Sequence, residues 1–196
     1  MRFFTNISHE LLTPLSIISC GIEDFNKNSN VDKKTLHSIS MNVTRLITLI
    51  NQLLDFRKIE TGNMKLNLEL APIDEVFYKL KESYLPLAKS KNTEFYVIGK
   101  VDKDIYCDVE KIETILSNLI SNAFKYSSNN GIVTVEYSVF ESDEKEFLEI
   151  VVKDTGFGIK DQDIEHIFER FYQVNSVTGR TFGAGIGLHL VKNIVD

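Results

Sequence analysis

His9-Glu10-Leu11-Leu12-Thr13-Pro14 sits within an apolar series, Ile7, Leu11, Leu15, Ile18, Ile22 and Phe25, whose steps of three and four residues mark one face of a helix. Phe3 and Phe4 already belong to that pattern, and the polar run Asn26-Lys27-Asn28-Ser29-Asn30 ends it as a turn. From about Asp32 the same spacing returns in Leu36, Ile39, Val43, Leu46, Ile50 and Leu53, with Ile47 and Leu54 widening the face into a heptad seam. Two helices cannot cover so broad an apolar surface by themselves, and its burial is worth about 25 cal/mol per Å². A second copy of the hairpin is the natural cover, which predicts a dimeric four-helix bundle; packing of the hairpin onto the rest of its own chain is the alternative.

Thr61-Gly62-Asn63 breaks the helical period, so the boundary is expected near Gly62, with a hairpin domain over 1–61 and a second domain over 62–196. Lys65-Leu66-Asn67-Leu68-Glu69-Leu70 alternates as a half-buried strand does. A helix from Ile73 to about Ala88, strands around Phe95 to Ile98 and Ile105 to Cys107, and a helix from Val109 to Tyr126 follow. Two alternating strands come next, one through Val133, Val135, Tyr137 and Val139 and the other through Leu148, Ile150 and Val152, with the charged run Glu141 to Glu146 as their turn. Helices on one face of a mixed sheet make an α/β sandwich, so the class is α+β.

The 196 residues are 43% hydrophobic, enough for a core in each domain. A net charge of −6 without a basic run argues against nucleic acid as a ligand. Cys20 and Cys107 lie far apart without metal-ligand spacing and are read as two reduced, packed thiols of a reducing cytosol. No apolar stretch approaches the ~20 residues needed to cross a bilayer, so no membrane contact is expected of this segment. Helical spacing continues through Ile186, Leu190, Ile194 and Val195 without a stop signal, and the chain reads as cut from a longer protein.

A neutral imidazole is a good nucleophile near neutral pH, so His9 can attack a phosphorus atom directly. Glu10 beside it can accept the hydrogen of the other ring nitrogen as a general base, and Thr13, one turn along, can position water. Pro14 cannot donate to the carbonyl of Glu10, which predicts a kink next to His9. His37, His166 and His189 lack such surroundings and are read as surface or packing residues. Asn118 and Asn122 stand one turn apart on one face of their helix, with Leu119 and Ala123 turned elsewhere. The amide oxygen of Asn122 suits Mg²⁺, a hard cation, together with triphosphate oxygens, and Lys125 can reach phosphate as a point charge. In Asp154-Thr155-Gly156-Phe157-Gly158 a buried carboxylate following a strand can accept from the adenine amino group, while Gly156 and Gly158 let the backbone approach the ring. Gly183, Gly185 and Gly187 open the last helix, where backbone amides and the helix dipole face phosphate.

In this order the four elements resemble the histidine kinase core of bacterial two-component systems, from Phe3 to Val195. The resemblance implies ATP and Mg²⁺ as cofactors, autophosphorylation of His9, and transfer to an aspartate of a response-regulator receiver on the same or a separate chain, as in hybrid kinases. It implies phosphatase support from Thr13, and it adds Tyr126, Ile159 and Leu188 to the nucleotide-binding residues. It also places this segment in the cytoplasm, the parent being a membrane-anchored sensor. Ile167-Phe168-Glu169-Arg170-Phe171-Tyr172 is similar to the family's phenylalanine-rich box, whose aromatics are read as packing the base of a lid over 173–182. The related gyrase, Hsp90 and MutL ATPases carry a water-activating glutamate where this chain has Asn118. An amide cannot take up a proton, which favours transfer over a hydrolytic clamp, the first alternative; a catalytically silent dimerisation module is the second. Leu12 and Gln173 stand where many members have arginine, with Arg170 or Arg180 as possible compensation. Members also continue with strands that complete the sheet beyond Asp196.

Overall fold

The computed structural model describes residues 2–27, 32–174 and 185–196, with backbone alone for 2–6, 9, 26 and 27. The chain divides into two compact units, one of residues 1–64 with 166–193 and one of 65–165 with 194–196.

In the first unit α1 (Arg2–Lys27) and α2 (Lys33–Glu60) form the hairpin. Asp32 caps α2 by accepting from the Lys34 amide at 3.2 Å. On α2 Thr35, Ile39, Asn42, Leu46, Leu49, Leu53 and Phe56 are buried or half-buried at alternating steps of four and three, and Gln52, Asp55 and Ile59 are half-buried beside them. Leu36, Val43, Ile47, Ile50 and Leu54 form a second stripe and are exposed, as are Leu15, Ile22 and Phe25 of α1. The heptad face read from sequence is therefore two seams, one closed inside the hairpin and one open. α1 runs through Pro14 as one continuous helix, and the proline ring is fully buried. An interior proline costs about 3 kcal/mol in an isolated helix, and burial of its ring offsets part of that cost.

At the end of α2, Leu49, Phe56 and Ile186 form a small core with Leu11, Leu53 and Phe171 packed on it. Phe56 meets Phe171 edge-on with centroids 5.8 Å apart, Arg170 lies over the Phe56 ring at 5.6 Å, and Arg170 pairs with Glu60.

The second unit is built on a three-stranded sheet of order β2-β4-β5 (β2 Glu94–Gly99, β4 Ile132–Ser142, β5 Lys145–Asp154). β2 runs parallel to β4 and β5 antiparallel to it, so the sheet is mixed as expected. A separate ribbon pairs β1 (Glu69–Ala71) with β3 (Ile105–Cys107). Helices α3 (Ile73–Lys91) and α4 (Val109–Tyr126) supply Ile73, Phe77, Leu116, Ile120 and Phe124 to a core shared with Phe95, Val133 and Val135 of the sheet. Asp108 caps α4 through the Lys111 amide at 3.1 Å and also accepts from the Asn67 amide at 2.8 Å, which ties the segment before β1 to the helix start. The short α5 (Asp161–Ile164) follows β5, and α6 (Gly187–Val195) ends the chain described.

Three local expectations are corrected. Of the Lys65–Leu70 alternation only Glu69 and Leu70 pair as a strand, together with Ala71, and Leu66, Leu68 and Leu70 are exposed, because β3 offers just three partner residues. The turn read as Glu141 to Glu146 shrinks to Asp143-Glu144, both with positive φ, since pairing continues to Ser142 and Lys145. Cys20 is exposed on α1 rather than packed, whereas Cys107 is buried. Burial, then the charges of Glu69 and Asp108, push the Cys107 thiol up, which disfavours its reactive thiolate.

Tyr137 stacks on Phe77 at 3.8 Å and donates its hydroxyl to Asp74 at 2.9 Å, while Asp74 also accepts from the Val101 amide at 3.0 Å. Burial first, and the bond to Asp74 second, push the phenol up to about 12 from 10.0. The folded state thus holds a proton that the unfolded chain releases earlier, so this stabilisation is complete below about pH 10 and lost by about pH 12. Tyr137→Phe should cost about 1 kcal/mol in urea unfolding at pH 7. The variant should also lose part of the alkaline decline in stability.

Candidate active site

His9 lies on α1 between Ser8 and Glu10; its side chain is outside the described residues. Thr13 follows one turn later and is exposed, while Glu10 is half-buried. The Glu10 carboxylate pairs with Arg45 of α2 at 3.0 Å, a partner that sequence reasoning missed because a side chain 35 positions away is found only once the hairpin register is known.

In the second unit α4 carries Asn118, Asn122, Lys125 and Tyr126. Its core face, Leu116, Ile120, Ala123 and Phe124, fixes the rotation of the helix. Asn118 is itself buried and donates its amide to the Thr114 carbonyl at 2.8 Å. Asn122 and Lys125 are half-buried, and the Lys125 ammonium stands 4.5 Å over the Tyr126 ring.

The end of β5 is joined to the end of α4 by a bridge between Ser127 and Gly156. Asp154, Gly156 and Tyr126 thereby come together. Asp154 accepts from the Gly156 amide at 2.8 Å, and its side chain is exposed rather than buried as the sequence suggested, because the carboxylate folds back over its own turn. A Cβ on Gly156 would stand 2.4 Å from the Tyr126 carbonyl oxygen and 2.6 Å from the Asp154 carboxylate. At Gly158 the requirement is conformational instead, with φ of +70° and open space around it. Phe157, which sequence reasoning passed over, is exposed and meets the Tyr126 ring edge-on at 5.6 Å. Ile159 is exposed as well.

Gly185, Gly187 and Leu188 belong to the first unit, and Gly183, Arg180 and the 175–182 part of the expected lid lie outside the described residues. Gly185 accepts from the Phe171 amide at 2.9 Å, and Phe168 accepts from His189 at 3.1 Å, so the described aromatic box is tied to the start of α6. Arg170, considered as a compensating cation, is instead engaged by Glu60. His166 contacts Glu169, and His37 is exposed, in keeping with surface and packing roles. Among the described residues no three of His, Cys, Asp and Glu converge on a metal position. The amide oxygen of Asn122 is a hard donor of the kind that fits Mg²⁺ together with phosphate oxygens.

Residues 1–62 match the His Kinase A (phospho-acceptor) domain, and residues 107–196 match the histidine kinase-, DNA gyrase B- and HSP90-like ATPase. The chain is 37% identical over 200 residues to hybrid signal transduction histidine kinase D of Dictyostelium discoideum, covering 99% of this chain and 13% of that protein. It is 34% identical to sensor histidine kinase WalK of Bacillus subtilis, covering 100% of this chain and 32% of WalK. The chain carries the two domains of a sensor histidine kinase catalytic core. This kinase core spans about a third or less of the length of those relatives. Among solved structures, histidine kinase AdeS of Acinetobacter baumannii superposes with a TM-score of 0.68 at 25% identity, over 95% of this chain and 85% of that one. No described helix is long and apolar enough to cross a membrane.

In this kinase core the crowding at Gly156 gives a direct test. Gly156→Ala must push the Tyr126 carbonyl or the Asp154 carboxylate aside, and ADP affinity measured by calorimetric titration should fall about tenfold or more, a loss of about 1.4 kcal/mol or more. Unchanged affinity would show that this turn does not shape the nucleotide site.

Proposed function

We propose that this chain is an ATP-dependent protein histidine kinase that phosphorylates itself on His9 and passes the phosphoryl group to an aspartate of a response-regulator receiver. His9 attacks the γ-phosphorus of ATP, and Glu10 takes the hydrogen of the other ring nitrogen as positive charge develops. Asp154 reads the adenine amino group, with Tyr126, Gly156, Gly158 and Ile159 shaping the ring pocket. Asn118, Asn122, Lys125 and the glycines Gly183, Gly185 and Gly187, with Leu188, serve the phosphates. Mg²⁺ bound through Asn122 supplies charge neutralisation to the triphosphate. Thr13 orients water for a phosphatase step.

Asn118 is the observation that carries the reading. Its amide is buried and bound to Thr114, and it has no basic site with which to activate water for hydrolysis. The open seam of Leu36, Val43, Ile47, Ile50 and Leu54, with Leu15, Ile22 and Phe25, supports a homodimeric four-helix bundle. We assign this segment to the cytoplasm, where ATP is available.

Incubation with γ-labelled ATP should leave acid-labile, base-stable label on the chain, absent from His9→Ala. Label that persists in His9→Ala would remove His9 as the acceptor.

A further inference from the structure

From Phe3 to Asn26 and from Thr35 to Phe56 the hairpin contains a single Lys or Arg, Arg45. That one cation reaches the residue next to His9, its guanidinium 3.0 Å from Oε2 of Glu10. We propose that Arg45 is a positioning residue for autophosphorylation, anchoring Glu10 by one carboxylate oxygen so that the other meets the imidazole of His9. The inference rests on the kinase reading above and goes beyond it by naming what orients the base.

Glu10 borders a small cavity lined by Ile7, Leu11, Leu49 and Leu53, so its carboxylate sits beside apolar side chains on one side. Four acidic residues fall in the same two stretches, Glu10, Glu23, Asp24 and Asp55, and Asp55 is matched with Lys58. As a source of stability the pair of Arg45 and Glu10 is weak. Arg45 is 43% exposed, and ion pairs of that kind contribute about 0–1 kcal/mol. As a source of orientation it can matter far more, because a base displaced by about 1 Å can lose about a hundredfold in rate.

In the step itself the N–P bond forms at one imidazole nitrogen while the bond from the γ-phosphorus to the bridging oxygen breaks, its electron pair leaving with ADP. The proton of the other ring nitrogen passes to the free oxygen of Glu10. Arg45 stays hydrogen-bonded to Oε2 throughout and holds the acid in line after it has been neutralised. Among the described residues of the hairpin, Arg45 is the cation that reaches the acceptor turn, where Leu12 supplies none.

The test compares Arg45→Gln, Arg45→Lys, Glu10→Gln and the Glu10→Gln/Arg45→Gln double variant in the full chain with Mg-ATP. Arg45→Gln should lower kcat for His9 labelling about tenfold with KM for ATP unchanged, and its melting temperature should stay close to that of the parent. Arg45→Lys should recover most of the rate, and the double variant should be no slower than Glu10→Gln alone. Parent-like labelling by Arg45→Gln, or a double variant whose losses multiply, would overturn the assignment while leaving the kinase reading in place. A large fall in melting temperature that Arg45→Lys repairs together with the rate would make the role structural and overturn it too. A parent protein that takes no label on His9 would overturn both.

Discussion

The geometry of the nucleotide elements depends on one helix having a single way to lie on the sheet. Leu116, Ile120 and Phe124 of α4 repeat every four residues and are fully buried or nearly so. Rotating α4 by one residue would expose these side chains, each worth about 1.5–3 kcal/mol when buried. With the rotation fixed, Asn122 and Lys125 are held away from the core, and the Tyr126 carbonyl is set at the height of Gly156. The bridge from Ser127 to Gly156 then carries that placement to Asp154. Core packing and ligand geometry are thus one constraint seen from two sides.

The hairpin follows the same logic with a different outcome. Its inward seam closes within the chain, from Ile39 through Leu46 and Leu49 to Phe56, while its second seam stays open. The helices are nearly free of basic side chains over six turns, so the acceptor turn draws its positive charge from Arg45. At the far end of α2, Phe56 gathers Phe171, Arg170 and His189 around one ring, which joins the aromatic box to the phosphoacceptor helices.

Patterns held within one element were legible in the sequence. The helix read from Val109 to Tyr126 has those ends in the structure, because Asp108 caps it and Ser127 leaves helical geometry. The strand through Val133 alternates cleanly because one face is packed on helices. What sequence missed depends on pairing between distant segments. The Leu66 and Leu68 alternation promised a longer strand, but its partner β3 is short. The charged turn read over Glu141 to Glu146 proved to be mostly strand, since cross-strand pairing extends to Ser142 and Lys145. Asp154 was read as buried, and its turn back onto the Gly156 amide appears only in the structure. Arg45 resembles any exposed helix arginine until α1 and α2 are set in register.

The most direct measurement compares ADP formed with phosphoryl retained on the protein during the first turnover after rapid mixing with Mg-ATP. The account requires the two to rise together, one retained group for each ADP, with little free phosphate. ADP and inorganic phosphate rising in step, with nothing kept on the chain, would contradict it and identify a hydrolase.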